Sequence, residues 1–328
     1  MTVGIKDVAK AAGVSPATVS RALSGGPVSE ELRAQVEAAV KATGYRPNLA
    51  ARRLRSQQSG TIGLVVADLR NPFFTAVSRA VEDSAYRAGM RVILCNTDED
   101  PAREALYLQL MQEERITGLI FAPTRSTLDQ LGRRRLEFPT VLIDRASPAG
   151  LYDCVVLDNA AAMAELVRHL IGRGYRRIGG LFGNASVTGL ERRDGYVAAM
   201  QAAGLAADFR LCAPSADAAR SALADWFASP ARPEALVVSN SLFLSAAVRA
   251  ARAANLAIPK DLALAGFDNE VWTEMVEPGL TVIEQPVEDI GRQAMALLFE
   301  RLQTPNLPVR KLVLSGRCVE RGSTAARA

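Results

Sequence analysis

Between residues 62 and about 318 the sequence repeats one pattern, a short apolar run followed by a stretch with helical periodicity. Ile62 to Val66, Val92 to Cys95, Gly118 to Phe121, Thr140 to Ile143 and Cys154 to Leu157 have the length and composition of strands. Between the first two, Ala76 to Gly89 places Val77, Ala80, Val81, Ala85 and Ala88 on one helical face. An alanine-rich helix from Asn159 to Ile171 opens a second series, with strands near Ile178 to Leu181, around Leu211, and at Ala235 to Val238, Leu262 to Ala265 and Thr281 to Ile283. Strands that alternate with helices imply parallel sheets covered on both faces. Two such series predict two α/β lobes, with a ligand cleft outside the carboxyl ends of their strands.

The first 60 residues follow a different rule. Ile5, Val8, Ala9 and Ala12 form an apolar helical stripe that Gly13 closes. A second helix begins at once: Ser15 suits its cap, Pro16 its first position, and Val19, Ala22 and Leu23 its inner face. Two short helices joined by a tight glycine turn are a helix-turn-helix, with Pro16, Ala17, Ser20 and Arg21 on the side offered to a major groove. After the turn Ser24 to Pro27, Ser29 caps a third helix that Glu30 and Glu31 favour in its first turn, that Leu32, Val36, Ala39 and Val40 turn inward, and that Gly44 ends. Asn48 to Arg55 has helix-forming residues over only two turns, too short to order without a partner. A polar connector, Ser56 to Thr61, follows. The expected domains are a headpiece over 1–47, a hinge helix and linker over 48–60, and a core over 61–328.

Charge separates the same two parts. The chain carries +4 overall, yet residues 1–60 hold nine basic against four acidic side chains, so the whole basic surplus lies there. That is the footprint of a module that neutralises phosphates, joined to a body that does not. A content of 49% hydrophobic and 23% charged residues describes a folded protein. No run reaches the ~18 to 20 apolar residues of a membrane span, and the N-terminus lacks a secretory core, so a cytoplasmic protein is expected. Cys95, Cys154, Cys212 and Cys318 are scattered without a CxxC pair and read as reduced, mostly buried thiols. His169, the only histidine, reads as a packing residue on a helix, and no metal site or cofactor is expected. Gly179 to Gly189 is glycine-rich without GxGxxG and reads as a strand and loop; no phosphate loop or spaced acid–base pair points to an enzyme.

VAKAAGVSPATVSRALSG, GYRPNLAARRL and TIGLVVADLRNPFF, followed by GLIFAP, VLIDR, HLIGRGYRRIG, RRDGY, LAGFDN, LTVIEQP and VERGST, resemble the lactose-repressor and galactose-repressor family of bacterial transcription regulators over nearly the whole chain. The resemblance implies a periplasmic-binding-protein-like core crossed three times by the chain, with one lobe at about 61–158 and 288–318 and the other at about 159–287 and 319–328. It implies that Pro16, Ala17 and Arg21 read bases. The side chains agree: Pro16 and Ala17 can only meet a thymine methyl, Arg21 can reach guanine, Ser20 bases or phosphate, and Thr18 suits phosphate. Leu54, between Arg53 and Arg55, suits a minor-groove wedge. The resemblance implies paired hinge helices with Asn48, Arg52 and Leu54 on the operator, hence a homodimer on a palindromic site, nucleoid-associated when bound. The tail after Ser315 has no leucine heptad, so nothing larger than a dimer is expected.

Polar and aromatic residues at strand ends are the candidate effector site. They are Asp68, Asn71, Phe73 and Phe74 after the first strand, Asp144 and Arg145 after the fourth, Arg192 in the loop ERRDGY, and Asn240, Asp268 and Gln285 after later strands. Relatives often carry Asn-Asp where this chain has Asn240 and Ser241, which removes one acceptor. Aspartate with arginine suits hydroxyl-rich ligands, and a sugar and a sugar acid both fit. The function expected is an effector-controlled repressor of carbohydrate or sugar-acid genes. The alternative, a solute-binding protein, would need an export signal and no basic head.

Overall fold

The computed structural model describes residues 3–23, 26–45, 59–131, 135–147, 150–213 and 215–326. They fall into two compact units, divided between Ser59 and Gly60.

The first unit is three helices, α1 (Ile5–Ala11), α2 (Pro16–Leu23) and α3 (Glu30–Thr43). Their small core is Val8, Ala9, Ala12, Val19, Ala22, Val36 and Ala39. The end signals act as their chemistry dictates. Gly13 takes a left-handed φ of +61° after α1, Ser15 Oγ accepts from the Thr18 amide at 3.1 Å, Ser29 Oγ from the Leu32 amide at 3.3 Å, and Gly44 closes α3 at φ +65°. Leu32, expected inside, is half-exposed, because the α3 stripe that meets α1 and α2 runs through Val36, Ala39 and Val40. The helix expected over 48–55 lies outside the described residues.

In the second unit, β1 (Thr61–Val66), β2 (Arg91–Asn96), β3 (Gly118–Phe121), β4 (Thr140–Ile143), β5 (Asp153–Leu157) and β11 (Lys311–Leu314) form an all-parallel sheet in the order β11-β5-β4-β3-β1-β2. A second sheet, in the order β12-β10-β9-β8-β6-β7, takes β6 (Ile178–Gly183), β7 (Asp208–Cys212), β8 (Ala235–Val238), β9 (Ala263–Phe267), β10 (Thr281–Glu284) and β12 (Arg317–Val319). Only β12 is antiparallel to its neighbour. Alternation of side chains along the strands builds a core on each face. On the first sheet, Ile62 and Leu64 pack under α4 (Pro72–Arg87) and α12 (Val287–Gln303), while Val65, Leu119 and Phe121 pack under α5 (Pro101–Glu113) and α6 (Arg125–Leu131). The second sheet lies between α7 (Asn159–Gly172) and α8 (Val187–Ala202) on one side and α9 (Ala216–Ala228) and α10 (Ser241–Ala253) on the other, with the short α11 (Val271–Met275) following β9.

The chain passes between the sheets after Leu157, after Glu284 and after Leu314. The return of α12 to the first lobe agrees with the resemblance. The third passage comes earlier than the expected 318, because Arg317 to Val319 already pair with β10. Neither β11 nor β12 is legible in the sequence: β11 is a half-exposed edge strand and β12 has three residues. Another difference concerns ERRDGY, which is not a loop but the middle of α8. Its inner face, Thr188, Gly189, Arg192, Gly195, Tyr196, Ala199 and Met200, has helical spacing but too few large apolar residues to announce itself.

Candidate functional site: an interlobe cavity and a helix-turn-helix face

On the headpiece, burial of Val19 and Ala22 leaves Pro16, Ala17 and Arg21 exposed, with Thr18 and Ser20 half-buried. The Thr18 hydroxyl is 2.9 Å from Ser15 Oγ. From α3, Arg33 donates to the Ala22 and Gly26 carbonyls at 3.0 and 3.1 Å, and Gln35 to the Ala12 carbonyl at 3.0 Å. These bonds satisfy orphan carbonyls at the ends of α1 and α2 and fix the angle between them. The exposed face thus offers small apolar groups at its start and a guanidinium one turn later. Asn48, Arg52 and Leu54 lie outside the described residues.

In the second unit, a cavity of about 60 Å³ opens where the carboxyl ends of the two sheets meet. One water needs roughly 10–15 Å³ on this measure, so several hydroxyl groups can be accommodated. Asp68, Asn71, Phe73, Phe74, Asp144, Arg145, Arg192, Asn240 and Gln285 line it. Asp268 stands one layer back. Two of these side chains also hold their own helices: Asn71 Oδ1 accepts from the Phe73 amide at 3.1 Å, and Asn240 Oδ1 from the Phe243 amide at 2.8 Å. Each cap leaves the side-chain NH₂ pointing away from the bond it makes. Asp68 is bound by Arg70, whose Nε donates to its Oδ1 at 2.9 Å.

Both arginines are buried, Arg145 at 2% exposure and Arg192 at 5%. Arg192 stands over the Phe267 ring, its Cζ 3.8 Å from the ring centroid. Its Nε donates to Asn159 Oδ1 at 2.8 Å, Nη1 to the Ser239 carbonyl and Nη2 to Gln285 Oε1 at 3.3 Å. Gln285 passes the chain of bonds to Asp268 Oδ1 at 2.6 Å, and Asp268 Oδ2 accepts from the Ser241 amide at 3.0 Å. Burial lowers the Arg192 pKa, opposed by Asp268 and Asp144. Burial raises the carboxyl pKa of both Asp144 and Asp268, against the pull of Arg145 on the first and Arg192 on both. Asp144 and Asp268 also sit at left-handed φ values of 66° and 76°, backbone strain of the kind that collects at functional sites.

Arg145 is held differently. Its Nε donates to Asp144 Oδ2 at 3.1 Å, Nη1 to the Pro123 carbonyl and to Glu99 Oε2 at 3.0 Å, and Nη2 to Glu99 Oε1. Glu99 lines the cavity too, with Gly183, Ser186, Thr188, Gly189, Ser239 and Leu242. None of these seven is marked by its sequence. They reach the cavity from turns at strand ends and from the first turns of α8 and α10, so only the fold gathers them. Glu104, fully buried with its pKa raised by burial, accepts from the Thr124 amide and hydroxyl and so anchors the turn that carries Pro123.

His169 lies on α7 as expected, but it does more than pack: Nε2 is 2.8 Å from Thr324 Oγ1 and Nδ1 3.2 Å from Glu320 Oε1, tying the C-terminal segment to the second lobe. Cys95, Cys154 and Cys212 are buried free thiols, and Cys318 is partly buried. Among the described residues no helix is long and apolar enough to cross a membrane, and no cluster of three metal-ligating side chains occurs.

Residues 4–48 match the model for bacterial regulatory proteins of the lacI family, and residues 167–324 match a periplasmic-binding-protein-like domain. The ribose operon repressor of Escherichia coli K12 is 34% identical, over 97% of this chain and 99% of its own. The HTH-type transcriptional regulator DegA of Bacillus subtilis is 31% identical over 99% of each. Among solved structures, the lac repressor dimer bound to operator and the anti-inducer ONPF superposes with a TM-score of 0.89 at 23% identity, over 99% of this chain and 100% of its own. The complex of the transcriptional regulator CelR with cellobiose gives 0.74 at 26%, over 98% and 99%. With a helix-turn-helix head, a two-lobed α/β body and full-length relatives above 30% identity, the chain belongs to the lacI family of bacterial regulatory proteins and is a DNA-binding transcription regulator.

Proposed function

We propose that this regulator is a cytoplasmic repressor of carbohydrate genes that binds a palindromic operator as a homodimer and is controlled by a neutral, hydroxyl-rich effector of the sugar class. The observation that carries the effector reading is the charge balance of the interlobe cavity. Three carboxylates, Asp68, Glu99 and Asp144, line it against two guanidiniums, Arg145 and Arg192, with Asp268 behind; Arg70, which pairs with Asp68, stands outside the lining and is 66% exposed. Such a lining offers paired acceptors and donors to hydroxyls, and opposes a further negative charge. The names of two similar proteins, a ribose operon repressor and a regulator in complex with cellobiose, point the same way. Asp68, Asn71, Phe73, Phe74, Asp144, Arg145, Arg192, Asn240 and Gln285 would contact the effector, with Asp268 orienting Gln285. Pro16, Ala17, Thr18, Ser20, Arg21, Asn48, Arg52 and Leu54 would contact the operator.

Homodimer formation is supported by the sheet edges. The outer strands β2 and β7 carry exposed Leu94, Phe209 and Leu211, and exposed Tyr86 and Leu106 stand on helices of the first lobe. An uncovered edge strand with apolar side chains calls for a covering partner. The test is a thermal-shift screen of neutral sugars and sugar acids on the full-length protein, followed by operator binding with and without the best ligand. A neutral sugar at 100 times its dissociation constant should stabilise the core by about 2.7 kcal/mol. An operator affinity that does not change with a bound ligand would refute the regulatory reading.

A further inference from the structure

We infer that Glu99 sets the charge preference of the interlobe cavity: its carboxylate occupies the forked edge of Arg145 that an acidic ligand would need, and so restricts the site to neutral hydroxylated molecules. This rests on the effector reading above and adds the residue that decides ligand class.

A buried arginine at the end of a sheet is a ready receptor for a carboxylate, because its two terminal nitrogens present parallel donors. Here that edge is already filled. Glu99 engages both Nη1 and Nη2 of Arg145, while Asp144 takes Nε from the side. The arginine is 2% exposed and the Glu99 side chain 14%, so the pair is shielded from water and the charges are strongly felt.

The backbone holds Glu99 there by an arrangement that packing alone does not require. Asp98 and Glu99 are consecutive non-glycine residues with left-handed φ values of 52° and 59°. Glu99 N–H donates to the Ala67 carbonyl at 3.1 Å, and Asp98 is held by Asn96 Nδ2 at 2.8 Å and by Arg103. Two strained residues in a row persist only where the surroundings over-determine them, and here the result is a carboxylate aimed across the cavity wall. Without the Glu99 charge, the lining would pass from three carboxylates and two guanidiniums to an even balance, with the Arg145 fork facing the cavity. Asp144 would still hold Nε in place.

The experiment is calorimetric titration of the full-length protein with neutral sugars, beginning with D-ribose, and with D-ribonate and D-gluconate. Wild type, Glu99→Gln and Glu99→Asp are compared. Wild type should bind a neutral sugar and refuse both aldonates. Glu99→Gln should bind an aldonate at least about tenfold more tightly than wild type, the lower end of a charge-assisted hydrogen bond's contribution. Glu99→Asp, which keeps the charge, should still refuse. The inference is overturned if wild type takes aldonates as well as neutral sugars, if folded Glu99→Gln gains nothing, or if Glu99→Asp gains as much as Glu99→Gln. Should Glu99→Gln fail to fold, Glu99→Met removes the charge at similar volume and takes its place. If wild type binds neither class while Glu99→Gln gains the aldonate, the role of Glu99 stands and the neutral-sugar reading falls.

Discussion

Arg192 and Arg193 are neighbours in sequence and opposites in environment. Arg192 is buried on Phe267 with three hydrogen-bond acceptors; Arg193 forms a partly exposed pair with Asp194. Truncating a buried, bonded charge strands its partners, whereas an exposed pair contributes little. Arg192→Met should therefore cost about 2–4 kcal/mol in denaturant unfolding and abolish effector binding, while Arg193→Met stays within about 0.5 kcal/mol and binds normally. His169 adds a pH dependence. Burial lowers its pKa below 6.5, outweighing Glu320, so the folded state disfavours the protonated ring. As pH falls through about 6.5 the unfolded chain takes up the proton first, and stability is lost between that pH and the lowered folded value. His169→Gln should flatten the melting-temperature profile in that window. Nine of the ten candidate effector residues line one cavity: most because side chains at carboxyl ends of parallel strands converge by topology, and Arg192, read as a loop residue, because it reaches in from helix α8. Glu99 was not legible, since nothing local in TDEDP marks a residue whose φ and partner are set by Ala67 and Arg145.

At the level of elements, helices and buried strands were readable and edges were not. Runs such as Ile62 to Val66 are buried on both faces and show it, whereas β11 alternates exposed and half-buried residues that a loop could equally carry. Helix α8 was obscured because its inner face is built for closeness. A Cβ on Gly195 would stand 2.3 Å from the Ala160 carbonyl oxygen of α7, so the two helices touch backbone to backbone. Gly172, near the end of α7, would meet nothing within 4 Å. The pair makes a controlled prediction: Gly195→Ala should destabilise by more than about 2 kcal/mol through overpacking, while Gly172→Ala should be neutral or gain up to about 1 kcal/mol from helix propensity. Matched urea unfolding of the two variants reads the difference, and equal stability would show that α7 and α8 can separate without cost.

For the molecule as a whole, the segregation of charge has a measurable consequence. The N-terminal 60 residues hold the basic surplus, and the cavity of the second unit keeps its charges buried and paired. Operator binding should weaken steeply with salt, by on the order of 10³-fold or more between 50 and 200 mM if six or more phosphates are contacted, while effector affinity changes little because buried pairs are poorly screened. Parallel titrations at the two salt concentrations check this, and a salt-insensitive operator affinity would remove the basic headpiece from the account. The sequence by itself determined the head, its helix caps, the two α/β series and most strand-end residues of the cavity, because helical stripes, capping residues and buried strands are local patterns with local causes. Only the tertiary structure decided which chain crossings join the lobes, that the helix carrying Arg192 packs through Gly195 on Ala160, and that Glu99 faces Arg145 from 46 positions away, because each depends on distant residues being brought together by sheets whose order the chain does not spell out.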